Sequence, residues 1–108
     1  MDAGDLRRNA RRAALLLKAM SNERRLLILC HLAEGERSVG TLGAIVGLSQ
    51  SALSQHLARL RRDKLVTTRR QAQTIYYALA GREAVAVMAT LHGLYCAPRG
   101  KRTPAASS

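Results

Sequence analysis

With 108 residues, 18 Lys plus Arg against 7 Asp plus Glu and a formal net charge of +11, the chain is one small, strongly basic domain. Such a domain buries only about two-thirds of the surface its unfolded form exposes, and without Phe or Trp its interior must come from Leu, Ile, Val, Ala and Met, which suits helices packed on helices. A hydrophobic content of 47% excludes a disordered polyelectrolyte, no apolar run approaches the roughly 20 residues of a membrane span, and the charge points to a polyanion without choosing between DNA, RNA and an anionic membrane surface.

Nothing near the N-terminus reads as a secretory signal, so a cytoplasmic setting with reduced thiols is expected. In chain order, residues 5–20 predict a helix with Leu6, Ala10, Ala13, Ala14 and Leu17 on one stripe and Arg7, Arg8, Arg11 and Lys18 largely off it. Ser21 is the expected N-cap of a second helix, ERRLLILCHLAEG, with Glu23 in its first turn, Cys30 late in it and Gly35 as its stop. Ser38 caps a short third helix ending at Val46; Gly47-Leu48 turns the chain into Ser49, the cap of a fourth helix reaching about Asp63. Two helices joined by a short glycine-containing turn make a helix-turn-helix.

LVTTRR, QAQ and TIYYAL then read as a two-stranded hairpin. The last helix, GREAVAVMATLHGLYC, carries Val85, Met88, Leu91 and Tyr95 on one face and Val87 and Leu94 on another. Apolar nearly all round, it calls for cover from outside the protomer, most simply a second copy. The expected organisation is a single unit over residues 1–97, mainly α with a small β-hairpin, followed by a disordered basic tail over residues 98–108.

The fourth helix carries the nucleic-acid argument. Leu53, Leu57 and Leu60 must face the core, leaving Gln50, Ser51, Ser54 and Gln55 outward near its N-terminal end, where short and amide side chains can reach base edges in a major groove. His56 and Arg59 follow on the flank where the backbone of a duplex would run. Arg69 and Arg70 precede the hairpin tip, Gln71-Ala72-Gln73, and a basic wing on the phosphate backbone or in the minor groove is the functional reading of that hairpin; a plain hairpin covering the core is the other. Steep salt dependence is expected of such an interface.

Cys30 and Cys96 are the only thiols, and by residue type alone they are core fillers, metal ligands or sensors. His92 and Cys96 share a helix face at i, i+4 and Cys30 could join them around a metal, but His31 is a poor fourth ligand because adjacent helix residues point about 100° apart.

Over residues 10–97 the sequence resembles the winged-helix ArsR-type repressors, through LKAMSNERRLLIL, GLSQSALSQHLARLRRDKLV and TIYYAL. The resemblance implies a dimeric winged helix-turn-helix protein that binds double-stranded operator DNA and releases it on induction, with Ser51, Ser54, Gln55 and His56 on the reading helix and residues 69–75, including Gln73, in the wing. Ala72 stands where many such chains have Gly. Residues 38–47 read SVGTLGAIVG and lack the thiolate pattern of the metal-sensing members, and the last helix offers only Glu83 and His92, more than two turns apart, in place of their paired carboxylate and histidine ligands. LLILCHL and GLYCAP resemble instead the contexts of the two cysteines in the sulfide- and persulfide-responsive, biofilm growth repressor-like subgroup. That likeness implies that reactive sulfur species bridge Cys30 and Cys96 and that the bridged homodimer loses its operator. Both cysteines lie toward helix C-terminal ends, where the dipole disfavours a thiolate, so activation falls to His31, His92 or nearby Arg residues.

A metal-responsive repressor, with no resident cofactor otherwise called for, and a constitutive nucleoid or RNA-binding protein are the other readings. An enzyme is not expected, since no nucleophile-base pairing, phosphate loop or carboxylate dyad is visible.

Overall fold

The computed structural model describes residues 2–96; the tail expected over residues 98–108 lies outside the described residues. Among the described residues, five α-helices, a terminal π-helical turn and a three-stranded sheet form the fold. α1 (Ala3–Met20) starts at an Asp2 cap whose carboxylate accepts from the Asp5 amide at 2.8 Å. α2 (Glu23–Ala33) is capped by Asn22 and not by Ser21: the Asn22 side-chain oxygen accepts from the Arg24 and Arg25 amides at 2.9 and 3.1 Å, while the Ser21 amide closes α1 by donating to the Lys18 carbonyl. An amide one residue nearer the helix reaches two orphan donors at once, which explains the one-residue shift from the expected cap.

β1 (Arg37–Ser38) leads into α3 (Val39–Val46), with Ser38 accepting from the Thr41 amide and Gly47 supplying the left-handed C-cap at φ 65°. α4 (Gln50–Arg62) begins at Ser49, whose hydroxyl accepts from the Ala52 amide at 3.1 Å. It ends with the Leu65 amide donating to the Leu60 carbonyl at 2.9 Å and Lys64 at φ 62°. β2 (Val66–Gln71) and β3 (Thr74–Leu79) form the hairpin, and β1 adds antiparallel to β3, Arg37 facing Tyr77 and Ser38 facing Tyr76. A two-residue strand has no periodicity to read, so the sequence predicts only two of the three strands. α5 (Arg82–Leu91) continues as a π-helical turn over His92–Cys96, so the predicted last helix changes its winding for its final five residues.

The core is aliphatic throughout. Ile28 and Leu29 of α2, Leu42 of α3, Leu60 of α4 and Met88 of α5 are fully buried, with no buried polar side chain among the described residues. α1 turns Ala19 and Met20 inward, whereas the stripe Leu6, Ala10, Ala13, Ala14 and Leu17 faces out, with Leu6 57% and Leu17 55% exposed. Val85 of α5 and Leu94 and Tyr95 of the π-helical turn are exposed as well. The protomer thus leaves apolar side chains uncovered on α1 and along α5 and its terminal turn.

The wing loop is Ala72-Gln73, two residues and not the expected three, because Gln71 and Thr74 pair directly. A two-residue hairpin needs positive φ in its loop to match strand twist, and Ala72 takes φ 56° without the freedom of glycine. Ala72→Gly should therefore raise the unfolding free energy by about 0.5–1 kcal/mol, read as a higher urea midpoint at unchanged slope.

Candidate nucleic-acid interface and thiol pair

Leu53, Leu57 and Leu60 seat α4 against the core with at most 3% exposure each. The opposite face therefore looks outward from its first turn, and Gln50, Ser51, Ser54 and Gln55 are all exposed. Gln donates and accepts in a plane suited to adenine, and Ser can reach either a base or a phosphate.

The flank of α4 is less open than the sequence suggests. His56 is half-buried beside the N-terminal turn of α2, and burial first, then the positive charges of Arg25 and Arg24, lower its pKa from the ordinary histidine value. Arg59 donates from Nε to Asp63 Oδ2 at 2.8 Å, and Arg62 lies 3.6 Å from the same carboxylate. Arg25 is committed to structure too, donating from Nε to the Ala19 carbonyl at 2.7 Å and so tying α2 to the end of α1. Among the described residues Arg61 and Arg70 make no ion pair, and both are exposed. Arg61 borders a groove of about 490 Å³ that separates α4 from the hairpin, with Ser54, Leu57, Ile75 and Tyr77 in its walls.

His56 gives a stability test with a defined sign. A lowered folded-state pKa means that the unfolded chain binds the proton more readily, so stability is complete above the ordinary histidine value of about 6.5 and is lost as pH falls from there toward the folded value. Urea midpoints at pH 7.5 and 5.5 should fall further for the wild-type chain than for His56→Gln; equal falls would show that the residue carries no such linkage.

In the hairpin the two arginines part company. Arg69 is held by both oxygens of Glu36, Nε and Nη2 each donating at 2.8 Å, and its guanidinium lies 4.4 Å from the Tyr76 ring centroid. Gln71 accepts from its Nη1 at 2.9 Å. Arg70 and Gln73 stay exposed near the tip. The structure thus brings Gln50, Ser51, Ser54 and Gln55 to one face and leaves Arg70 and Gln73 open, while Arg59 and Arg69 are held by carboxylates of the protein itself.

Cys30 lies in the last turn of α2, half-buried against the core. The π-helical turn that ends at Cys96 packs on the same helix. His92 Nε2 stands 3.0 Å from Glu34 Oε2, and that hydrogen bond holds the Glu34 carboxyl below the usual carboxylate range, with Arg37 3.6 Å away on its other side. Cys30 precedes Glu34 by four residues and Cys96 follows His92 by four, so the contact stands about one turn from each cysteine along its own helix. Glu34 and Glu36 are the residues that the sequence reading omits. Their partners lie 58 and 33 positions away, and no local pattern signals contacts at that distance. Among the described residues no three His, Cys, Asp or Glu side chains gather as a metal site, and no helix is long and apolar enough to cross a membrane.

The model of bacterial regulatory proteins of the arsR family matches residues 22–68, from the cap of α2 through the start of the wing. The transcriptional activator HlyU of Vibrio cholerae is 55% identical over 96 residues, covering 89% of each chain. The structure of the transcriptional repressor BigR from Xylella fastidiosa superimposes with a TM-score of 0.83 at 35% identity, over 94% of this chain and 99% of that one. A homodimeric winged helix-turn-helix DNA-binding domain from Mycobacterium bovis, Mb0332, matches with a TM-score of 0.65 at 36% identity, over 76% of this chain and 82% of that one.

Proposed function

This chain belongs to the arsR family of bacterial regulatory proteins, and from that premise we propose that it is a transcriptional repressor switched by its two thiols. As a homodimer with both thiols reduced it occupies double-stranded operator DNA; bridging of Cys30 and Cys96 by reactive sulfur species releases it. The observation that carries the reading is the Glu34–His92 contact, which fastens the helix bearing Cys30 to the turn that ends at Cys96. Two thiols on packed elements can be joined directly where their Cα atoms come within about 7 Å.

The exposed apolar stripe of α1 and the exposed Val85, Leu94 and Tyr95 support the homodimer, as does the homodimeric relative. Burying such faces between two copies sets the spacing of the two α4 helices, and a dimeric reader matches half-sites about one helical turn apart. A bridge that shifts the terminal turn against α2 would alter that spacing.

The chemistry balances with one sulfane-sulfur donor. A thiolate takes the outer sulfur of a persulfide RSSH, giving a protein persulfide and RSH. The second thiol attacks the inner sulfur of that persulfide, forming the bridge and releasing hydrogen sulfide. The two cysteines are oxidised by two electrons and the sulfane sulfur is reduced. Footprinting of a dyad-symmetric site before and after glutathione persulfide, paired with intact-mass analysis, tests the reading; protection that ignores the bridge would refute it, and protection without a defined site would indicate an architectural protein.

A further inference from the structure

The wing offers two adjacent arginines, and strand geometry treats them oppositely. Directly paired residues of β2 and β3 share a face: Val66 with Leu79, Thr68 with Tyr77 and Arg70 with Ile75 on one, and Thr67 with Ala78, Arg69 with Tyr76 and Gln71 with Thr74 on the other. Val66 is buried, Tyr77 and Leu79 pack on the core, and Ile75 and Tyr77 line the groove beside α4. The face bearing Arg70 is therefore the face turned to the reading helix. Arg69 stands on the reverse face.

On that reverse face Arg69 reaches across β3, over the ring of Tyr76, to the chain that enters β1. Glu36 receives it with both carboxylate oxygens at 2.8 Å. Glu36 immediately precedes Arg37, which pairs with Tyr77 in the sheet. A planar fork held by two parallel hydrogen bonds fixes direction as well as distance. β1 is only two residues long, so few backbone hydrogen bonds tie the third strand to the hairpin, and the Glu36–Arg69 pair spans all three strands from outside the ladder.

We propose that Arg69 is a strut and not a phosphate contact, and that Glu36 is the positioning residue that aims the wing, leaving Arg70 and the tip residue Gln73 to meet the duplex. The inference rests on the reading of the hairpin as a DNA-contacting wing and narrows it to particular side chains. The arrangement also explains why a carboxylate sits at the base of a basic wing: without it, Arg69 would be one more unpaired cation free to bind any phosphate and indifferent to sequence.

The test uses the full-length reduced protein, its operator and a scrambled duplex, with affinities measured over a salt series and amide hydrogen exchange followed in the hairpin. For Arg70→Gln the slope of log affinity against log salt should become shallower by about 0.9 for each wing on the duplex. For Arg69→Gln the slope should stay as in the wild type while hairpin amides exchange faster. For Glu36→Gln hairpin exchange should also accelerate, and the ratio of operator to scrambled affinity should fall by roughly tenfold, a change that simple loss of stability does not produce. A shallower slope for Arg69→Gln matching that of Arg70→Gln would overturn the proposal, and so would wild-type exchange or an unchanged affinity ratio in Glu36→Gln. An unchanged slope in Arg70→Gln would instead remove the wing from the duplex, sinking the DNA-contact reading and the aiming role with it while exchange still reports whether Glu36 braces the hairpin.

Discussion

Leu60→Ala should lower the unfolding free energy by about 2–5 kcal/mol, a large part of the roughly 5–15 kcal/mol that holds an ordinary domain together. Leu60 is fully buried beneath α4, so truncation forfeits its transfer free energy and leaves a cavity that a close-packed interior only partly refills. The Leu60 carbonyl also accepts the Leu65 amide at 2.9 Å and closes the end of the helix, so slack there reaches the junction with β2. Ser54→Ala, on the exposed face of the same helix, should stay within about 0.5 kcal/mol. Urea titration at one fixed protein concentration compares the two, because a dimer's apparent stability changes with concentration. A loss below 1 kcal/mol for Leu60→Ala would mean that the back of the reading helix is not part of the core.

The contrast between Leu60 and Leu17 shows what the sequence could say. In α4 the apolar positions are few and the opposite face is polar, so the spacing of Leu53, Leu57 and Leu60 names the buried side, and the structure agrees. In α1 the same kind of stripe points outward, and Leu16, Ala19 and Met20 do the inward packing. Periodicity finds an apolar face but not what covers it, whether the protomer's own core or another surface. The helix ends at Ser38, Gly47 and Ser49 were legible because each has a local chemical cause in a hydroxyl or in positive φ. The Asn22 cap shows the margin of such readings, since two adjacent residues could both cap and only geometry chooses.

The site divides in the same way. The outward face of α4 follows from helix geometry, and the structure exposes Gln50, Ser51, Ser54 and Gln55 together. The states of Arg59 and Arg69 were not legible, because a run of cations does not reveal which members are neutralised by Asp63 and Glu36. Counting every arginine between residues 59 and 70 as a phosphate contact overstates the interface for that reason.

Cys30→Ser and Cys96→Ser should each bind the operator as the reduced wild-type protein does and no longer release it when persulfide is added. The expected loss is of the whole response, because a bridge needs both ends. Each single variant still has one thiol that can accept a sulfur atom, so intact mass should show the adduct while the mobility shift shows the DNA still bound. That combination separates bridging from simple modification: release by a persulfidated single variant would sink the bridge and leave only sulfur sensing. In the wild-type chain a bridge within one protomer closes a loop of roughly 65 residues, which the chain-entropy relation values at about 4 kcal/mol of added stability when the geometry is unstrained. The oxidised protein should therefore unfold at higher urea than the reduced one and run as a monomer on a non-reducing denaturing gel. A covalent dimer on that gel would place the bridge between protomers. The coupling would then act across the dimer interface directly, and the Glu34–His92 contact, which joins α2 to the terminal turn of its own chain, would no longer be what brings the two thiols together.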